Sequence, residues 1–157
     1  MKLIIIIISI IILFYAFCYY LFPTEISILQ TNVNEFNFNN LTKRQPIVIS
    51  DFIQDPEKII ECWFKFNFKS KLETTASDDW IHNNYKYLFI NAIEDTEVII
   101  HNAKRTKENP SSDEKIIVIK LQKNQSLILP FKWKYYGNNL DIWGIDDIIT
   151  ASFGKFF

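Results

Sequence analysis

Few side chains in this 157-residue chain have the types and spacing to do chemistry. His82 and His101, with Asp78 or Asp79, would offer imidazole and carboxylate ligands to a metal ion, but two histidines without a ligand-motif spacing more often make ordinary hydrogen bonds. Cys62 would serve as a nucleophile if either histidine stood beside it. Its place on an amphipathic helix next to Trp63 points instead to a buried, inert thiol. Phe131, Trp133 and Tyr135 alternate with Lys132, Lys134 and Tyr136, a pattern that could stack a base or a sugar beside cations. It equally describes a half-buried strand with a solvated lysine face. Asp146 and Asp147 read as a helix cap and its neighbour rather than half of an acid–base pair. No G-x-G-x-x-G, P-loop or C-x-x-C occurs, so nucleotide and zinc sites have no support. No catalytic, cofactor-binding or metal-ligating residue is therefore assigned.

Charge narrows the partners. The 17 basic and 18 acidic side chains nearly cancel, and setting Lys2 aside leaves no basic field of the kind that binds nucleic acid. Apolar residues make up 48% and aromatics 16%, with 3 glycines and 5 prolines, which excludes a disordered chain and supplies a core. Cys18 and Cys62 are too few and too far apart in sequence for a disulfide framework.

Among the elements, the strongest signal is the uncharged run LIIIIISIIILFYAFCYYLF, Leu3 to Phe22. Its 20 residues match a hydrocarbon core of roughly 30 Å at about 1.5 Å per residue. Tyr15, Tyr19 and Tyr20 crowd its C-terminal end, where phenols favour the headgroup zone, and Pro23 stops the helix. A cleaved signal peptide fits less well, because Ala16-Phe17-Cys18 is followed by more aromatic residues. The expected partner of this run is the lipid bilayer. Lys2 lies before it, and no cation follows until Lys43 and Arg44, which favours a cytoplasmic N-terminus and an extracytoplasmic or lumenal domain. Residues 1–22 are thus expected to be a single-pass signal anchor, 23–45 a polar stalk or edge segment, and 46–157 a mainly β domain.

In that domain Pro46 to Ser50 has the β-branched run of a buried strand. A helix follows, with Asp55 as N-cap, Pro56 at N1, and Ile59, Ile60, Trp63 and Phe64 on the apolar face. Trp63 is expected in the core. Period-two segments come next, at Phe64 to Lys69 and Tyr85 to Ile90, followed by strands at Glu97 to Asn102, Lys115 to Leu121 and Ser126 to Pro130. Turn-rich stretches separate them at Thr106 to Asp113 and at Lys123-Asn124-Gln125, the latter predicted as a hairpin. Asp146 is predicted to cap a last helix through Ser152, with Gly154 as its stop. The spacing predicts a barrel or sandwich with one or two short helices. Asn40-Leu41-Thr42 and Asn124-Gln125-Ser126 are glycosylation sequons.

The order QPIVISDFI, a capped helix, a run of strands, QSLILPFKWKYYG and GIDDIITASFG resembles the cupin-like double-stranded β-helix domains related to JmjC oxygenases, over roughly residues 45 to 152. Leu129-Pro130-Phe131-Lys132-Trp133-Lys134-Tyr135 resembles that family's proline-to-Trp segment. The Ile-, Asn- and Lys-rich style also resembles membrane-anchored proteins of giant DNA viruses. The resemblance implies a His-x-Asp/Glu pair and a distant His holding Fe(II) with three positions open. This chain departs from it at every ligand: Asn84 follows His82 where a carboxylate belongs, Tyr135 stands five residues after Pro130 where the distal histidine would be, and His101 has no carboxylate at the right spacing. The expectation is a membrane-anchored, cupin-like binding or structural module. The alternatives are a divergent metal-dependent oxygenase working at a concave mouth near His82 and Trp133, or a secreted soluble domain.

Overall fold

The computed structural model describes residues 2–20, 26–72, 79–102 and 116–153. Helix α1 (Lys2–Tyr20, 19 residues) coincides with the apolar run. Its described apolar side chains from Leu3 to Phe14 are exposed on all sides, Ile12 alone being partly covered. Among the described residues no helix is long and apolar enough to cross a membrane. Residues 21–25, Pro23 included, lie outside the described residues, as do Thr106 to Asp113, Asp78 and Gly154.

Beyond α1 the described residues are mainly β, with three short helices among them: α2 (Phe38–Thr42), α3 (Pro56–Trp63) and α4 (Ile148–Phe153). The strands are β1 (Leu29–Thr31), β2 (Ile47–Ile49), β3 (Phe68–Leu72), β4 (Ile81–His82), β5 (Tyr87–Ala92), β6 (Thr96–Asn102), β7 (Ile116–Leu121), β8 (Ser126–Pro130), β9 (Trp133–Tyr136) and β10 (Leu140–Asp146). They form a six-stranded sheet in the order β1-β2-β8-β5-β10-β3 and a four-stranded sheet in the order β4-β9-β6-β7. From β3 onward this interleaving, with four strands in each sheet, is that of a double-sheet jelly roll, the architecture to which cupins belong. The expected mainly β sandwich with short helices is therefore present.

Two cores lie on opposite faces of the six-stranded sheet. Leu88, Ile90, Leu127, Leu129, Leu140 and Ile142 meet Val98, Ile100, Ile119 and Trp133 of the other sheet. Phe89, Ile128, Trp143 and Ile145, the alternate residues of the same strands, meet Leu41, Ile60 and Phe64 of the helical side. Strands β5, β8 and β10 are thus apolar on both faces, and a period-two pattern does not survive there. Strand β10 has no counterpart among the strands predicted above: it is apolar on both faces, and Asp141 and Gly144 interrupt the unbroken run that marks β8. The predicted last helix meets it only at Asp146, its expected cap.

Helix α3 forms as its sequence dictates. Asp55 Oδ1 accepts from Lys58 N at 3.1 Å and Pro56 occupies the first turn, satisfying a donor that the helix start leaves open. Its stripe differs from expectation in depth, Ile59 and Trp63 being only half-buried. Ile60 and Phe64 are fully buried, whereas Trp63 is half-buried at the rim of the second core, stacked on Phe36 at 4.0 Å. Cys62 is exposed, not buried. Two residues beyond Ile60 it has rotated by roughly 200°, which places it on the far side of the helix. The alternation Phe64-Phe66-Phe68 does not make a strand from residue 64. Phe64 N still donates to Ile60 O at 2.9 Å, a turn follows, and β3 begins only at Phe68.

Two further expectations are corrected at turns. The Lys123-Asn124-Gln125 turn is not a hairpin, because β7 pairs with β6 while β8 pairs with β2 and β5. It carries the chain from one sheet to the other, with Asn124 in the left-handed region at φ 67. The cap of α4 is Asp147 rather than Asp146: its Oδ1 accepts from Ile149 N at 3.0 Å and Thr150 N at 2.8 Å. Asp146 instead accepts from Lys86 N at 2.8 Å and binds β5 to β10.

Candidate functional site

Strand β9 separates the two groups of residues that could act. Its register pairs Ile81 with Tyr135 and His82 with Lys134 on one side, and Ile100 with Tyr135 and His101 with Lys134 on the other. Paired residues share a face and neighbours alternate. Trp133 and Tyr135 therefore point between the sheets, whereas Lys134 points outward between His82 and His101.

The outward group differs from the solvated lysine face expected for β9. Lys134 is only 3% exposed and His101 is buried. Trp80 packs edge-on to His101 and tilted against Tyr136, both at 6.4 Å. His82 Nδ1 lies 3.0 Å from Asn84 Oδ1. Its pKa is lowered, first by burial and then by the charges of Lys134 and Lys132, with the Asn84 hydrogen bond opposing. The structure does bring the two histidines to one face, about two strand spacings (~10 Å) apart. The residue between them is an ammonium, which repels a cation. Among the described residues no group of three His, Cys, Asp or Glu side chains could hold a metal ion.

The inward group lies at one end of the jelly roll. Asn83 is buried, and its Nδ2 donates to Leu129 O at 3.1 Å and Pro130 O at 2.8 Å while its Oδ1 accepts from Tyr85 N at 2.8 Å. These bonds fasten the β4–β5 connection to the end of β8 and delay β5 to Tyr87. They also turn Tyr85 inward over Gly144. Next to it stands Tyr135, its phenol pushed up to about 12 by burial and then by Tyr85. It stays a neutral donor at physiological pH. Trp133 completes the group, and its Nε1 is a buried donor with no hydrogen-bond partner among the described residues. Leaving such a donor unmet costs about 1 to 3 kcal/mol.

Trp133 Nε1 is thus a donor that an acceptor reaching the interior would satisfy. The residues standing at the resemblance's ligand positions do not converge, since Tyr135 faces the interior and His82 the opposite side of the sheet. A mouth shared by His82 and Trp133 is not formed for the same reason. Cys62 lies on α3, against the other sheet. Asn83 and Tyr85 were not singled out in the sequence. Asn83 sits in the polar run His82-Asn83-Asn84, and nothing local marks which asparagine turns inward.

No protein-family model matches the chain, and no curated protein matches it. Among solved structures it is similar to a DUF861 family protein from Thermotoga maritima, with 13% identity over 63% of this chain and 94% of that chain and a TM-score of 0.30.

Proposed function

We propose that the protein is a single-pass membrane protein that holds a cupin-like jelly roll outside the cytoplasm as a binding module. The observation that carries this reading is the exposure of α1, whose leucine, isoleucine and phenylalanine side chains, Ile12 apart, find no cover in the protein. A contiguous apolar surface of that size costs too much in water and is matched by lipid. The run continues in sequence through Leu21 and Phe22, which completes the roughly 30 Å of a hydrocarbon core.

Within the domain, recognition centres on Trp133. Its partnerless Nε1, with the neutral phenol of Tyr135 on the same face, selects a ligand that brings an acceptor and an apolar or ring-shaped body. Binding rather than turnover follows from the inward set, which holds no charged acid or base and no nucleophile of the usual kinds.

Extraction of cell membranes with alkaline carbonate tests the anchor, and the full chain should remain in the pellet. Glycosidase treatment after expression in a eukaryotic cell tests the side. Asn40 lies on α2 and Asn124 in the β7–β8 turn, and a lumenal domain should lose mass, partly prevented by Asn40→Gln. A chain found in the soluble fraction would overturn the anchor. An unmodified chain alongside a glycosylated N-terminal sequon would reverse the orientation. Stoichiometric iron in the purified protein, with activity dependent on His82 and His101, would replace binding by catalysis.

A further inference from the structure

The strand registers define which end of the six-stranded sheet the anchor joins. One row runs Leu29, Ile47, Ile128, Phe89, Trp143, Lys71 across all six strands. The chain enters β1 at Leu29 from the side on which β3 starts at Phe68, β5 starts at Tyr87 and β10 ends at Asp146. That same end displays Phe66, 95% exposed, Phe68, 59% exposed, and Ile148, 73% exposed. Ile26 and Ile28, just ahead of β1, are exposed as well. The opposite end bares Phe52 and Ile93, so what distinguishes this end is the larger group of apolar side chains beside the entry of the chain into β1.

We infer that this end of the jelly roll is a lipid-contact surface, with Phe66 and Ile148 entering the acyl boundary of the membrane that α1 spans. The inference rests on the anchor reading. Its argument is one of reach and chemistry. Eight residues, 21–28, separate α1 from β1, and even fully extended they span no more than about 30 Å. The end that carries the phenylalanines is therefore held near the headgroups. Lys65, exposed, places its Nζ 6.0 Å from the Phe66 ring, and Lys43, also exposed, precedes β2 at the same end. An aromatic wedge flanked by lysines suits an interface, since the rings enter the boundary while the ammonium groups reach back to phosphates. Lys69 and Lys86 are held by Glu61 at 2.7 Å and Asp147 at 2.6 Å. The contact is accordingly apolar in origin and does not require anionic lipid.

The test uses the full chain in phosphatidylcholine vesicles. In a Cys18→Ser, Cys62→Ser background, Phe66→Cys carries a polarity-sensitive dye, and Lys123→Cys carries it at the other end of the sheet. The expected result is a blue-shifted emission at position 66 that lipids brominated on the acyl chain quench, with water-like, unquenched emission at position 123. A water-like signal at 66 in a chain that floats with the vesicles and resists carbonate overturns the surface and leaves the anchor standing. A blue shift at 66 that bromolipid does not quench marks a protein partner instead and also overturns it. A chain that fails to float sinks both readings. Phe66 is nearly fully exposed, so its replacement leaves the fold intact.

Discussion

The ring of Tyr85 occupies the space that a side chain at Gly144 would need: a Cβ there would stand 2.5 Å from both Cδ1 and Cε1 of the tyrosine. Gly144 has no positive φ, so the requirement for glycine is one of room and not of backbone conformation. A central strand of the larger sheet is thinned at one point so that an aromatic ring can lie across it. Gly144→Ala should therefore destabilise the protein by about 1 to 3 kcal/mol, the usual cost of overpacking. Chemical denaturation of Gly144→Ala, Tyr85→Ala and the double variant reads the coupling. The double variant should lose clearly less than the two single losses combined. Simple additivity would mean that the ring moves aside freely.

The second core ranks two neighbouring aromatics. Phe64 is fully buried against Tyr87 and the helical side of the sheet, so Phe64→Ala should cost about 3 to 5 kcal/mol. Trp63, half-buried and stacked on Phe36, should cost less, on the order of 2 kcal/mol, because part of its surface already meets water. Unfolding midpoints of the two variants measured side by side decide the order. Trp63→Ala as the more damaging change would place the tryptophan in the core after all.

Cys62 is exposed on α3. In the folded protein under native conditions it should react with a water-soluble thiol reagent, and unfolding should speed the reaction little. Protection that disappears only on denaturation would show the thiol to be covered.

His82 carries a lowered pKa, chiefly from burial and then from Lys134 and Lys132. The unfolded histidine takes up its proton near pH 6.5, the folded one only at lower pH. Between those values the unfolded state binds more protons, so stability falls as the pH drops below about 6.5 and is fully present above it. Thermal unfolding followed from pH 8 to pH 5 should show this loss, and His82→Gln should flatten it. An unchanged slope in the variant would assign the acid sensitivity elsewhere.

Local patterns in the sequence were enough for the elements whose environment is one-sided. The stripe and cap of α3 depend on residues within one turn of each other, so Asp55, Pro56, Ile60 and Phe64 announce the helix by themselves. Strand β6 is legible for the same reason, whereas α1 and β8 are legible as continuous apolar runs. The departures from a metal-binding pattern at Asn84 and Tyr135 were legible too, as they concern residue types at short spacing. Tertiary structure alone decided the rest. Strand β10 is apolar on both faces because helices cover the side that a two-sheet sandwich would leave to water, and that erases the alternation by which a strand is recognised. Only pairing across β9 places Lys134 between His82 and His101, residues separated by 52 and 33 positions in the numbering. Only the hydrogen bonds of Asn83 with the end of β8 turn Tyr85 over Gly144 and bring it to Tyr135. Periodicity reports which way a side chain leaves its own backbone; what it then meets is settled by strands far away in sequence, and in a jelly roll nearly every pairing is of that kind.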